Sequence, residues 1–152
     1  MKKILVSECL YGGRHVRYDG AGAACTDGIF LKWKAEGRLV PVCPEVCGGL
    51  PVPREPAQRR DGRVVTERGR DVTAQFRKGA EEALRLAKEH SVVCAIMKEG
   101  SPSCGVHAIY DGSFTGKKTA GEGLATQLLR GAGHTVFSES EIAAAKRAID
   151  DD

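Results

Sequence analysis

Short apolar runs alternate with amphipathic stretches along this chain. Lys3 to Ser7, Leu39 to Cys43, Val92 to Met97 and His134 to Phe137 are too short for buried helices, and most are rich in β-branched residues, so they read as strands. Val92 to Met97 is the most continuously apolar, as expected of a central strand covered on both faces. Between them, Asp27 is placed to cap a helix that ends at about Gly37. Asp71 or Thr73 opens a long helix in which Phe76, Ala80, Ala83, Leu84 and Ala87 recur at three- and four-residue spacing, and His90 ends it. Gly121 to Gly131 fits a helix with Leu124, Leu128 and Leu129 facing inward, and Ser140 to about Ile149 a terminal one. This alternation predicts the α/β class: one Rossmann-like three-layer domain over residues 1–152, built on a mainly parallel open sheet of four to five strands.

The interruptions matter as much as the runs. Gly12 to Gly22 has no helical period, and Gly100 to Gly105 is rich in glycine and serine. From Pro44 to Gly69 the prolines at 44, 51, 53 and 56 exclude helix for most of the segment, leaving loops and a short ribbon at Val64-Val65. His107 to Tyr110 reads as an extra strand before a turn at Asp111-Gly112. In open parallel sheets ligands bind beyond the carboxyl ends of strands, where strand order reverses. The loops at 8–22, 43–58 and 98–118 all fall on that edge.

Composition narrows the classes. With 23 basic and 20 acidic side chains the formal charge is +3, and only Arg54, Arg59, Arg60 and Arg63 cluster, which does not mark a nucleic-acid binder. Four Phe, three Tyr and one Trp form no basic and aromatic stacking platform. No stretch approaches the roughly 20 apolar residues of a membrane span. The run after Met1-Lys2-Lys3 stops at Ser7-Glu8, short of a signal sequence, so a cytoplasmic protein is expected. Six cysteines there are thiols, ligands or nucleophiles rather than a disulfide framework. Neither phosphate-binding glycine motif stands at a strand-to-helix turn, which excludes a nucleoside triphosphate site.

Cys9, Cys43 and Cys104 each follow an apolar run and precede irregular backbone. Thiolates are soft ligands for zinc or iron–sulfur clusters, and three of them leave a metal centre one open position. Cys94, inside an apolar strand, is expected to be core, and Cys25 incidental. Cys47, four residues after Cys43, is an alternative ligand, although that spacing is a weak zinc signal. Glu45 and Ser101 are the polar residues nearest these thiols in sequence; a carboxylate there can take a proton from water, and a hydroxyl can orient it. Two other readings share these residues. One is a non-catalytic metal or cluster sensor with Cys47 as fourth ligand. The other is a metal-free thiol enzyme that uses Cys43 or Cys104 as sulfur acceptor.

Taken together, Ser7-Glu8-Cys9-Leu10-Tyr11-Gly12, Arg17-Tyr18-Asp19-Gly20, Pro41-Val42-Cys43-Pro44-Glu45-Val46, Gly48-Gly49-Leu50-Pro51, Pro53-Arg54 and Ser101-Pro102-Ser103-Cys104-Gly105 resemble the thiouracil desulfurase (TudS-like) family. The match continues through Gly69-Arg70-Asp71-Val72-Thr73 and Leu128-Leu129-Arg130. The resemblance implies a 4Fe-4S cluster bound by three cysteines with one open iron, and non-redox removal of sulfur from 2- or 4-thiouracil to give uracil and hydrosulfide. By motif the ligands are Cys9, Cys43 and Cys104, with Cys47 second to Cys43, and the catalytic pair is Glu45 and Ser101. The implied partner is a small thiolated pyrimidine; 4-thiouridine in tRNA is the alternative, less favoured by the mild charge. Arg17, Asp19, Arg54 and Lys98 are expected near the ring from their loop positions.

Overall fold

The computed structural model describes residues 1–150. Its central sheet has four parallel strands, β1 (Ile4–Ser7), β2 (Leu39–Val42), β5 (Cys94–Met97) and β8 (Val136–Ser138), in the order β2-β1-β5-β8. Ser7 stands opposite Val42 and Val6 opposite Ile96, so the carboxyl ends of β2, β1 and β5 are nearly level. Order reverses between β1 and β5, which makes that boundary the switch point. Pro41, which has no N–H to donate, is tolerated because β2 is an edge strand.

Alternate side chains along each strand serve opposite faces. Leu5, Ala95 and Met97 pack with Ala80, Ala83, Ala87, Ala125 and Leu129, from α4 (Thr73–Glu89) and α5 (Leu124–Gly131). Ile4, Val6, Cys94 and Ile96 pack with Phe30, Trp33, Ile142 and Ala145, from α2 (Gly28–Ala35) and α6 (Ile142–Asp150). This is the expected three-layer domain. Cys94 is core, as its setting predicted, and each large side chain fully withdrawn from water contributes about 1.5–3 kcal/mol. No helix among the described residues is long and apolar enough to cross a membrane.

Local signals held where chemistry dictated them. The Asp27 carboxylate accepts from the N–H groups of Ile29 and Phe30, capping α2. At α4 the cap differs from both candidates: Val72 is the N-cap, Asp71 accepts from Thr73 N, and the Thr73 hydroxyl oxygen accepts from Val64 N. The inner face of α5 is Ala125, Thr126 and Leu129, with Leu124 and Leu128 only half-buried. The fourth strand starts at Val136, two residues later than expected, and a 3-10 turn at Glu139–Glu141 precedes α6. Two one-turn helices went unanticipated: α1 (Glu8–Tyr11) and α3 (Pro44–Cys47), the latter begun by Pro44 at a position where proline fits a helix. The 64–65 ribbon is a full hairpin, β3 (Ala57–Arg60) with β4 (Arg63–Thr66), and Ala108–Tyr110 (β6) pairs with Lys118–Ala120 (β7).

Helix α3 is held against α4 by backbone contact. A Cβ on Gly79, midway along α4, would overlap the Pro44 carbonyl. Alanine normally favours a helix interior over glycine by about 1 kcal/mol, yet Gly79→Ala is expected to destabilise by about 1–3 kcal/mol through overpacking. It also displaces the turn that carries Cys43 and Glu45. Thermal unfolding of the variant checks this, and an unchanged or raised midpoint would show that α3 yields freely.

Candidate functional site

Beyond the carboxyl ends of β1, β2 and β5 lies a cavity of about 440 Å³ lined by Cys9, Cys43, Cys104, Glu45 and Ser101 together. Cys9 sits in α1, directly after β1; Cys43 is the N-cap of α3, directly after β2; Cys104 lies in the turn after β5. That turn is anchored from behind by α5. Leu124 N donates to Pro102 O, Ala125 N to Ser103 O (2.9 Å), and the Thr126 hydroxyl to Cys104 O (2.9 Å). A Cβ on Gly123 would overlap the Ser103 backbone, so only glycine lets α5 approach so closely.

Burial pushes the Cys9 thiol up to about 11, assisted by a neighbouring Cys43 thiolate, while Lys98 and Arg17 oppose the rise. Cys43 is also raised by burial, against N–H groups of Val46 and Glu45 aimed at its sulfur. Cys104, 5% exposed, is raised furthest, by burial and by the charge of Cys9, with Ser7 and Ser103 hydroxyls working the other way. Three thiols that burial and mutual repulsion keep protonated make poor acid–base groups. They become favourable thiolates once a cationic centre binds. Among the described residues no three His, Cys, Asp or Glu side chains converge as a single ion requires. Three thiols on one cavity wall, with amides directed at Cys43, are soft donors of the kind an iron–sulfur cluster uses.

Glu45 faces the cavity in a defined orientation. Arg54 Nε donates to its Oε1 at 3.0 Å, and the pair is mostly buried, with 7% and 14% of the side chains exposed. Arg54 also donates to Val16 O (2.9 Å) and Pro51 O (3.1 Å), tying the 16–18 loop to α3. At Oε2, Ser103 Oγ stands at 2.7 Å and Ser101 Oγ at 3.3 Å. Ser7 Oγ accepts from Lys98 N (2.9 Å) and links the ends of β1 and β5.

The outer wall comes from the two hairpins, with Gln58, Tyr110, Phe114 and Lys118 on the cavity. Arg60 donates to Gly112 O, Arg59 to Glu122 O (2.6 Å), and Gln58 Oε1 accepts from Gly112 N (3.0 Å), so the arginine cluster is spent mainly on structure. Glu99 was not anticipated from sequence. Its Oε1 accepts from the N–H groups of Val106 (2.7 Å), His107 (2.8 Å) and Ala108 (3.0 Å), fixing the segment after Cys104. Burial opposes its charge, but these amides hold the carboxyl below its usual range. Its contribution is therefore complete above the unfolded value of about 4.3 and is lost as pH falls through the lower folded one. Glu99→Gln should lower stability at pH 7 by about 1 kcal/mol, with the gap to wild type closing in acid. Denaturant unfolding at both pH values tests this; a pH-independent gap would contradict it.

Of the other expected residues, Arg17, Arg54 and Lys98 line the cavity, whereas Asp19 turns back to accept from Ala21 N (2.9 Å). Cys47 is exposed and absent from the cavity wall; its charged neighbours are Glu82, Glu8 and Arg14. It does not stand where a fourth ligand for this thiol set would be.

The sequence profile of the 2-thiouracil desulfurase family matches residues 4–141. An uncharacterised protein of Bacillus subtilis (strain 168), YbbK, is 43% identical over 149 residues, covering 91% of this chain and 97% of that one. A solved structure of a 4Fe-4S-dependent thiouracil desulfidase, TudS, matches with a TM-score of 0.96 at 49% identity, covering 99% of each chain.

Proposed function

Because this chain belongs to the 2-thiouracil desulfurase family, we propose that it is an iron–sulfur-dependent desulfidase that converts thiolated uracil and water to uracil and hydrosulfide. Cys9, Cys43 and Cys104 would hold a 4Fe-4S cluster, and Glu45 and Ser101 would serve the attacking water. When bound, a cluster held by three thiolates leaves one iron without a protein ligand and supplies a soft Lewis acid for a thione sulfur.

The chain's own residues account for the rest of the reaction. Tyr110 and Phe114 on the hairpin wall offer ring surface to a planar pyrimidine, and the same cavity carries the polar groups of Glu45, Ser101 and Ser103. Glu45 takes the proton of water at Oε2 as the new C–O bond forms at the thiocarbonyl carbon. Arg54 holds Oε1 and keeps the carboxylate pointed at that water. Collapse of the adduct then breaks the C–S bond: the electron pair leaves with sulfur, which takes one of the two protons of water as hydrosulfide, the other is released from Glu45 to solvent, and the carbonyl oxygen of uracil comes from water. No electron is gained or lost overall.

The observation that carries this reading is the meeting, in one cavity, of three thiols from three strand ends with a carboxylate held by Arg54. Protein purified without oxygen should contain roughly four iron and four acid-labile sulfide per chain. One zinc per chain, or no iron after reconstitution, would overturn it.

A further inference from the structure

Resting on that reading, we infer that Ser103 is a positioning residue for Glu45, and that the direction of its hydrogen bond is imposed by Ser101. Ser101 Oγ accepts from Ser103 N (3.1 Å) and Cys104 N (3.1 Å). A hydroxyl oxygen has two acceptor sites and one proton, so both lone pairs are committed to backbone. Its contact with Ser103 Oγ at 2.8 Å must therefore be made with the Ser101 proton. Ser103, unable to donate back, directs its own proton to Glu45 Oε2 at 2.7 Å, a shorter contact than the 3.3 Å from Ser101. The other acceptor in its reach is Cys104 Sγ at 3.6 Å.

The result is a one-way chain, from backbone N–H through Ser101 and Ser103 to Oε2 of Glu45. It fixes the carboxylate torsion from the side opposite Arg54. With Oε1 held by Arg54 and one side of Oε2 held by Ser103, the remaining acceptor site on Oε2 is left for the water that reacts. Ser103 is only 1% exposed, so its hydroxyl is held by these protein partners rather than by bulk water. Ser101 therefore contributes through Ser103.

The test is Ser103→Ala, a substitution that removes one oxygen from a packed turn and adds nothing. In reconstituted enzyme kcat should fall about ten- to a hundredfold, the range for losing one hydrogen bond to a charged group. KM, the dissociation constant of uracil by equilibrium dialysis, and iron per chain should each stay within about twofold. Wild-type kcat in the variant would overturn the inference while leaving the desulfidase reading intact. Loss of iron or of uracil binding would also overturn it, because Ser103 would then be a structural residue. Failure of the desulfidase reading itself is separate, since it appears as absence of turnover in wild-type protein loaded with iron.

Discussion

Glu45→Gln is expected to lower kcat by about 10²–10⁴-fold, the range for losing a positioned proton acceptor, with iron content and KM close to wild type. Glutamine is the informative replacement. Its carbonyl oxygen can still accept from either Arg54 or Ser103, but its amide cannot take a proton from water. Glu45→Ala would mix two effects, because Arg54 is 7% exposed and pairs at 3.0 Å with this carboxylate. Removing one partner of a buried ion pair typically costs about 3–5 kcal/mol. Arg54 retains its bonds to Val16 O and Pro51 O, and the glutamine keeps one acceptor beside it, so the glutamine variant should lose less. Steady-state kinetics with parallel iron assays measures the outcome; full kcat in Glu45→Gln would refute the assignment of the base.

Cys104→Ala should abolish both cluster retention and activity. Cys104 lies at 5% exposure in the turn anchored by α5, and its carbonyl continues to accept from Thr126 in the variant, so the fold persists without the sulfur. Removing one of three ligands leaves two, too few to hold the cluster as proposed. Iron per chain should drop to near the background of untreated protein. Cys47→Ala is the matched comparison: exposed and off the cavity wall, it should keep iron and turnover. Iron retained in Cys104→Ala, or lost in Cys47→Ala, would exchange the roles of the two cysteines.

The layers of the fold and the edge that carries the site were legible because both follow from short-range patterns. Apolar runs at Ile4, Leu39 and Cys94 mark strands by composition, and a parallel sheet then sends the three following thiols to one end. The Asp27 cap was legible for the same reason, as a side chain that satisfies its own next amides. Side-chain direction in one-turn helices was not, because a single turn has no period to read. Thus Cys47, one turn past Cys43, was expected near the pocket, whereas α3 carries it to the surface. Ser103 acts through a hydroxyl brought to Glu45 by tertiary contact and Glu99 through backbone amides gathered by the loop after Cys104, and nothing in the spacing of Ser101, Ser103 and Cys104 orders their protons. Arg54 was foreseen at the cavity but not as the partner of Glu45, a pairing set by how the 51–54 segment folds over α3.

The most direct test of the central claim is product stoichiometry, with iron-loaded protein, 2-thiouracil and no added reductant, in the absence of oxygen. The proposed chemistry requires one uracil and one hydrosulfide for each thiouracil consumed over many turnovers, because water supplies the oxygen and no electrons are exchanged. Uracil formed without free hydrosulfide, turnover limited to one event per chain, or equal activity in metal-free protein would contradict it.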